Sequence, residues 1–151
     1  MTVKERLEVL RILMKEKGVD AYLVPTDDFH GSEYVGDYFK CRKYITGFTG
    51  SAGTAVITQD EACLWTDGRY FVQAAKELAG TGVTLMKMGQ EGVPTVEEYL
   101  QANTKEGMTI GFDGRVVNEM LGETLEKTLP ERFLSYRSDL IGEIWSDRPA
   151  L

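Results

Sequence analysis

Between Tyr44 and Phe71 the chain reads YITGFTGSAGTAVITQDEACLWTDGRYF, and no other run limits the possible folds as much. Two β-rich segments, Thr54–Thr58 and Ala62–Thr66, are separated by Gln59, Asp60 and Glu61, a spacing that predicts an antiparallel hairpin. After Asp67–Gly68 the apolar period changes: Phe71, Ala74, Ala75 and Leu78 fall on one helical face, so a helix should follow the second strand directly. The glycines at 47, 50 and 53 invite a phosphate-loop reading, which their context rejects. A P-loop needs a lysine after its last glycine to reach the terminal phosphates, and here Thr54 and Ala55 follow. A dinucleotide fingerprint follows a strand and opens a helix, whereas this run leads into a strand. Positive φ angles and close backbone approach are the simpler use of these glycines.

On either side of the run, strands alternate with helices. Thr2 and Glu5 form a capping box for a helix carrying Val3, Leu7, Leu10, Leu13 and Met14, which should stop at Gly18. Ala21–Val24 is predicted as a short buried strand ended by Pro25, and Tyr38–Ile45 as a short helix. Gly80 and Gly82 should end the helix that starts at Phe71, ahead of a strand over Val83–Met88. Thr95–Glu98 is a second capping box, followed by strand Met108–Phe112, helix Val117–Lys127, strand Phe133–Tyr136 and helix Leu140–Trp145. This order predicts a three-layer α/β/α domain with a mixed, mostly parallel sheet containing one antiparallel hairpin. Pro149, in the closing Asp147–Leu151, reads like the start of a linker, which places the domain at 1–145 and the linker at 146–151.

The formal net charge of −7 argues against a nucleic-acid surface. No apolar run is long enough to span a bilayer, and no basic-then-apolar leader opens the chain, so a cytoplasmic location is expected. Cys41 and Cys63 lack zinc-site spacing and read as reduced thiols, Cys63 buried in its strand. With one histidine, His30, a His-rich metal centre is excluded. Asp27, Asp28 and Asp113 lack the ligand spacing of a calcium loop and read as solvated carboxylates. Neither a cofactor nor a metal is expected in this chain. Ser51 in Gly-Ser-Ala-Gly is not a nucleophile elbow.

Several motifs in order resemble the N-terminal domain of aminopeptidase P, in the creatinase/prolidase superfamily. They are Gly47-Phe48-Thr49-Gly50-Ser51-Ala52-Gly53-Thr54-Ala55, Leu64-Trp65-Thr66-Asp67-Gly68-Arg69-Tyr70-Phe71, His30-Gly31-Ser32-Glu33-Tyr34, Leu85-Met86-Lys87-Met88-Gly89 and Ile144-Trp145-Ser146-Asp147-Arg148-Pro149. The resemblance covers nearly the whole chain and implies a ribonuclease H-like motif. It also implies a parent metallo-aminopeptidase that releases the N-terminal residue from peptides with proline second. The parent's two divalent metals, usually manganese, sit in a C-terminal pita-bread domain that would follow this chain. By that reading the chain is a non-catalytic domain that cleaves nothing alone, helps shape the substrate cleft of its catalytic domain and contributes to a homodimer. A stand-alone module that binds a peptide or small ligand without hydrolysis is the alternative.

Arg69 is the foremost candidate for a functional residue, at the end of a strand and the start of a helix. The resemblance places it facing the catalytic cleft, for substrate-end contact or interdomain anchoring. A local ion pair with Asp67 is the other reading, and Asp67 itself suits a helix N-cap. The resemblance gives His30 a place at the cleft rim or domain interface, with Ser32-Glu33-Tyr34 ordering its loop. Trp65 reads as core, and Trp145 as an interface residue if exposed.

Overall fold

The structure is a computed structural model and describes residues 2–26, 42–49, 53–111, 127, 129, 131–135 and 140. The first helix, α1 (Val3–Lys17), begins where the capping box places it. The Thr2 hydroxyl accepts from the Glu5 amide at 3.2 Å, and Glu5 Oε1 accepts from the Thr2 amide at 3.1 Å. Gly18 closes the helix in the left-handed region at φ 73°, a conformation that an L side chain disfavours. Leu7, Leu10 and Met14 are buried at helical spacing on its inner face.

Strand β1 (Ala21–Thr26) runs two residues further than expected. Pro25 does not end it but pairs in register with Thr54. A proline φ near −65° is compatible with extended backbone, and prolines are accommodated near strand ends. A helical segment over 42–46 overlaps the predicted short helix. The hairpin forms as predicted from β2 (Gly53–Thr58) and β3 (Ala62–Thr66), with Ile57 opposite Ala62 and Thr54 opposite Trp65. A 3-10 turn over Gly68–Tyr70 then leads into α2 (Phe71–Leu78). β4 (Thr84–Lys87), α3 (Val96–Asn103), β5 (Thr109–Gly111) and β6 (Phe133–Ser135) complete the described elements. On α2, Ala74 and Leu78 are buried and Ala75 is exposed, because it lies a further 100° round the helix, beyond the strip that meets the sheet. The predicted helices Val117–Lys127 and Leu140–Trp145 lie outside the described residues, except for Lys127 and Leu140, which are both helical.

Six strands form one sheet in the order β4-β3-β2-β1-β5-β6. β2 alone runs against the rest: its ladders with β1 and β3 are antiparallel, while β3–β4, β1–β5 and β5–β6 are parallel. The sheet is mixed and mostly parallel, with helices on both faces. Alternation along the strands divides the core in two. Tyr22, Val24, Ala55, Ile57, Ala62 and Leu64 pack under α1 and α2. Ala21, Leu23, Val56, Cys63 and Trp65 face the opposite way, onto Tyr99 and Leu100 of α3.

The glycine run separates into two physical roles. Gly47 turns the chain at φ 82°. Gly53 has no positive φ, and its need is space: an added Cβ would lie 3.2 Å from the Trp65 carbonyl oxygen, 3.2 Å from Arg42 Nη1 and 3.3 Å from Phe48 Cε2. Gly53→Ala should therefore destabilise the domain by about 1–3 kcal/mol through overpacking, seen as a lower urea midpoint at an unchanged m-value.

Candidate functional site

The site is built on the corner where β3 ends. Asp67 has extended backbone (φ −90°, ψ 176°) and caps the 3-10 turn. Its Oδ1 accepts from the Arg69 amide at 3.0 Å and from Arg69 Nε at 3.0 Å, while Oδ2 accepts from Nη2 at 2.9 Å. Cap and ion pair, two separate readings in sequence, are one structure. The fork holds a guanidinium whose side chain stays 60% exposed. Chiefly through the hydrogen bond from Arg69, the Asp67 carboxyl lies below its ordinary 3.8. Because the folded value is the lower one, the fork's contribution is complete above pH 3.8 and is lost as pH falls through the folded pKa.

Beneath the fork, two rings lie between two cations, in the order Arg69, Tyr70, Phe48 and Arg42. The Arg69 guanidinium lies 5.1 Å from the Tyr70 ring centroid. Tyr70 meets Phe48 edge-on at 5.9 Å, and the Arg42 guanidinium sits 5.0 Å from the Phe48 ring. Such edge-to-face and cation–π contacts are individually worth about 1 kcal/mol and together fix orientation. Arg42 is wholly buried, and its Nη1 donates to the Gly53 carbonyl at 3.2 Å. Burial pulls its pKa down, to about 10, against the favourable fields of Tyr70 and Glu77. It is therefore a cation at neutral pH.

A carboxylate ties the glycine run to α2. Glu77 accepts from the Thr49 amide at 3.0 Å, from the Thr49 hydroxyl at 2.6 Å and from Gln73 Nε2 at 3.1 Å. Burial raises the Glu77 carboxyl, but these hydrogen bonds outweigh it and leave a net lowering. The Arg69 corner is thus joined through Tyr70 and Phe48 to the buried Arg42, while Glu77 fixes Thr49 of the glycine run.

A family model described as the Creatinase/Prolidase N-terminal domain matches residues 6–144. The chain belongs to the creatinase/prolidase N-terminal domain family. Its relatives in this family include a probable Xaa-Pro aminopeptidase P of Talaromyces marneffei, 47% identical over 97% of this chain and 23% of the relative. Aminopeptidase P2 of Arabidopsis thaliana is 43% identical over 97% of this chain and 21% of its own length. The crystal structure of an X-prolyl aminopeptidase from Caenorhabditis elegans, described as a cytosolic enzyme with a di-nuclear active site, superposes with a TM-score of 0.87. That likeness is at 39% identity and covers all of this chain and 26% of the nematode chain. The creatinase/prolidase N-terminal domain described here therefore spans about a quarter of the length of these relatives.

Of the residues singled out in sequence, Asp67 and Arg69 are brought together, and Trp65 and Cys63 are buried at 1% exposure each. His30, Asp27, Asp28, Ser32, Glu33, Tyr34, Cys41, Gly50, Ser51, Asp113, Trp145 and the 146–151 segment lie outside the described residues. Arg42 was not anticipated. Set between Cys41 and Lys43 it looks like part of a solvated basic stretch, and nothing local marks it for burial. Among the described residues no group of three or more His, Cys, Asp or Glu side chains is placed to hold a metal ion, so they do not fit a dinuclear centre. Nor is any described helix long and apolar enough to cross a membrane.

Proposed function

We propose that this chain is the non-catalytic N-terminal domain of a metal-dependent Xaa-Pro aminopeptidase, and that Arg69 presents its guanidinium to the substrate end or the facing domain. The observation that carries the domain reading is the family match over residues 6–144, and the reading of Arg69 is supported by a side chain that stays 60% exposed although it is paired with Asp67. A positioned guanidinium suits a carboxylate or a carbonyl oxygen, the groups a peptide offers. In this reading residues 1–145 form the domain and 146–151 begin a linker to a catalytic pita-bread domain holding two divalent metals, with manganese as the proposed ion. The substrates are peptides with proline in second position, and the whole protein is a homodimer. A cytoplasmic location is supported by the nematode relative, described as cytosolic.

The test joins this chain to the remainder of its Talaromyces relative and compares Arg69 with Arg69→Ala. Losing a charge-assisted contact of about 1.5 kcal/mol should raise KM or lower kcat/KM on the order of tenfold. In the 151-residue chain the same change should move stability by only about 0.5 kcal/mol, as for other exposed ion pairs. Unchanged kinetics in the joined protein would reduce Arg69 to the local ion-pair partner of Asp67.

A further inference from the structure

On the α3 face of the sheet a cavity of about 300 Å³ opens at the carboxyl edge, beside the end of β3, with Leu23 and Thr54, the residue after Gly53, in its lining. We infer that it binds a small molecule with a single-ring apolar body and a protonated amine. The site is independent of the function proposed for Arg69, which does not line it.

The shape follows from the Met88–Thr95 loop. Trp65 forms one wall, and its Nε1 donates to the Pro94 carbonyl at 2.9 Å, while the Met88 amide donates to Thr66 O at 3.1 Å. These bonds hold the loop at a fixed distance from the sheet. Because the indole N–H is engaged, Trp65 offers the cavity apolar ring surface. Val93, Pro94 and Val96 continue the apolar lining, and Met88, 51% exposed, stands at the opening. An apolar cavity of about 150 Å³ takes a benzene ring. The larger volume here suits one ring with a short chain, at the lower end of the ligand-pocket range.

The charge at the rim selects the ligand's polar end. Among the described residues lining the cavity, Glu97 is the charged one, and it is half-buried. The cavity lies at the N-terminus of α3, where a helix dipole of about half a positive charge would favour an anion. Two features oppose that. The capping box engages the Glu98 amide with the Thr95 hydroxyl at 3.1 Å, and the first turn carries two carboxylates, Glu97 and Glu98. Glu98 Oε1 is taken up by the Thr95 amide at 3.0 Å, so at the cavity the full negative charge of Glu97 stands against half a positive one, and the rim favours a cation.

The test follows the Trp65 indole N–H resonance, assigned with Trp65→Phe, in the 15N-labelled chain. It is titrated separately with phenethylamine, 2-phenylethanol and 3-phenylpropionate. The amine should give a saturable shift at the lowest concentration, the alcohol a weaker one and the acid the weakest. Glu97→Gln should weaken the amine about tenfold, as for loss of a charge-assisted bond, and leave the alcohol within about twofold. Val93→Phe, which fills the cavity from an exposed loop, should abolish both. No saturable shift with any of the three overturns the proposal. So does an acid that binds as tightly as the amine, or amine binding that Glu97→Gln leaves unchanged.

Discussion

Arg42→Ala should cost about 3–5 kcal/mol of stability, the range for removing a large, wholly buried side chain or breaking a buried charged network. Three losses combine in that figure. A cavity opens under Phe48, the Gly53 carbonyl loses its 3.2 Å donor, and the Glu77 region loses a compensating positive field. Arg42→Met separates volume from charge. It retains most of the packing and removes the cation's burial penalty, so it should lose less than half of what alanine loses. Arg42→Lys keeps the charge but not the planar group that lies near the Phe48 ring, and should fall between the two. Urea unfolding of the three variants at pH 7 gives the order directly. If alanine and methionine were equal, packing would not be the larger share.

The second large effect is expected at Trp65. Its side chain is 1% exposed, meets Tyr99 edge-on at 5.1 Å and bonds the Pro94 carbonyl. Trp65→Ala should cost about 3–5 kcal/mol, as large aromatic deletions in cores do. Trp65→Phe keeps an aromatic ring but leaves the Pro94 carbonyl without its donor. It should cost about 1–3 kcal/mol. Hydrogen exchange localises the second effect: the amides of Met88 and Val93, which bond Thr66 O and Gln90 O, should lose protection before those of β2. Uniform loss across the sheet would mean that the indole–Pro94 bond does not hold the loop.

These two residues mark the limits of what the sequence discloses. The elements with local signals were legible. Both capping boxes, the left-handed Gly18, the hairpin and the change of period after Asp67–Gly68 each depend on residues a few positions apart. Trp65 was legible as core because it sits within the β-rich segment Ala62–Thr66, after Ala62, Cys63 and Leu64. Arg42 was not, since the contacts that enclose it, with the Phe48 ring and the Gly53 carbonyl, form only when the chain folds back on itself. Pro25 carried a stop signal that the extended pairing opposite Thr54 overrode. At the Asp67–Arg69 corner the ion pair stood as the alternative to a cleft-facing Arg69, and spacing cannot show that the carboxylate that caps the turn also grips the guanidinium. The strand order, which places β2 and β5 on either side of β1, is set by non-local pairing that no local pattern encodes.

Release of the N-terminal residue from a peptide with proline in second position tests most directly whether this domain is non-catalytic. The purified 151-residue chain is incubated with such a peptide, with and without manganese, beside the same chain joined to the remainder of its 47%-identical relative. The expected result is no release above background by the chain alone, and metal-dependent release by the joined protein. Metal-dependent release by the 151-residue chain alone would contradict it.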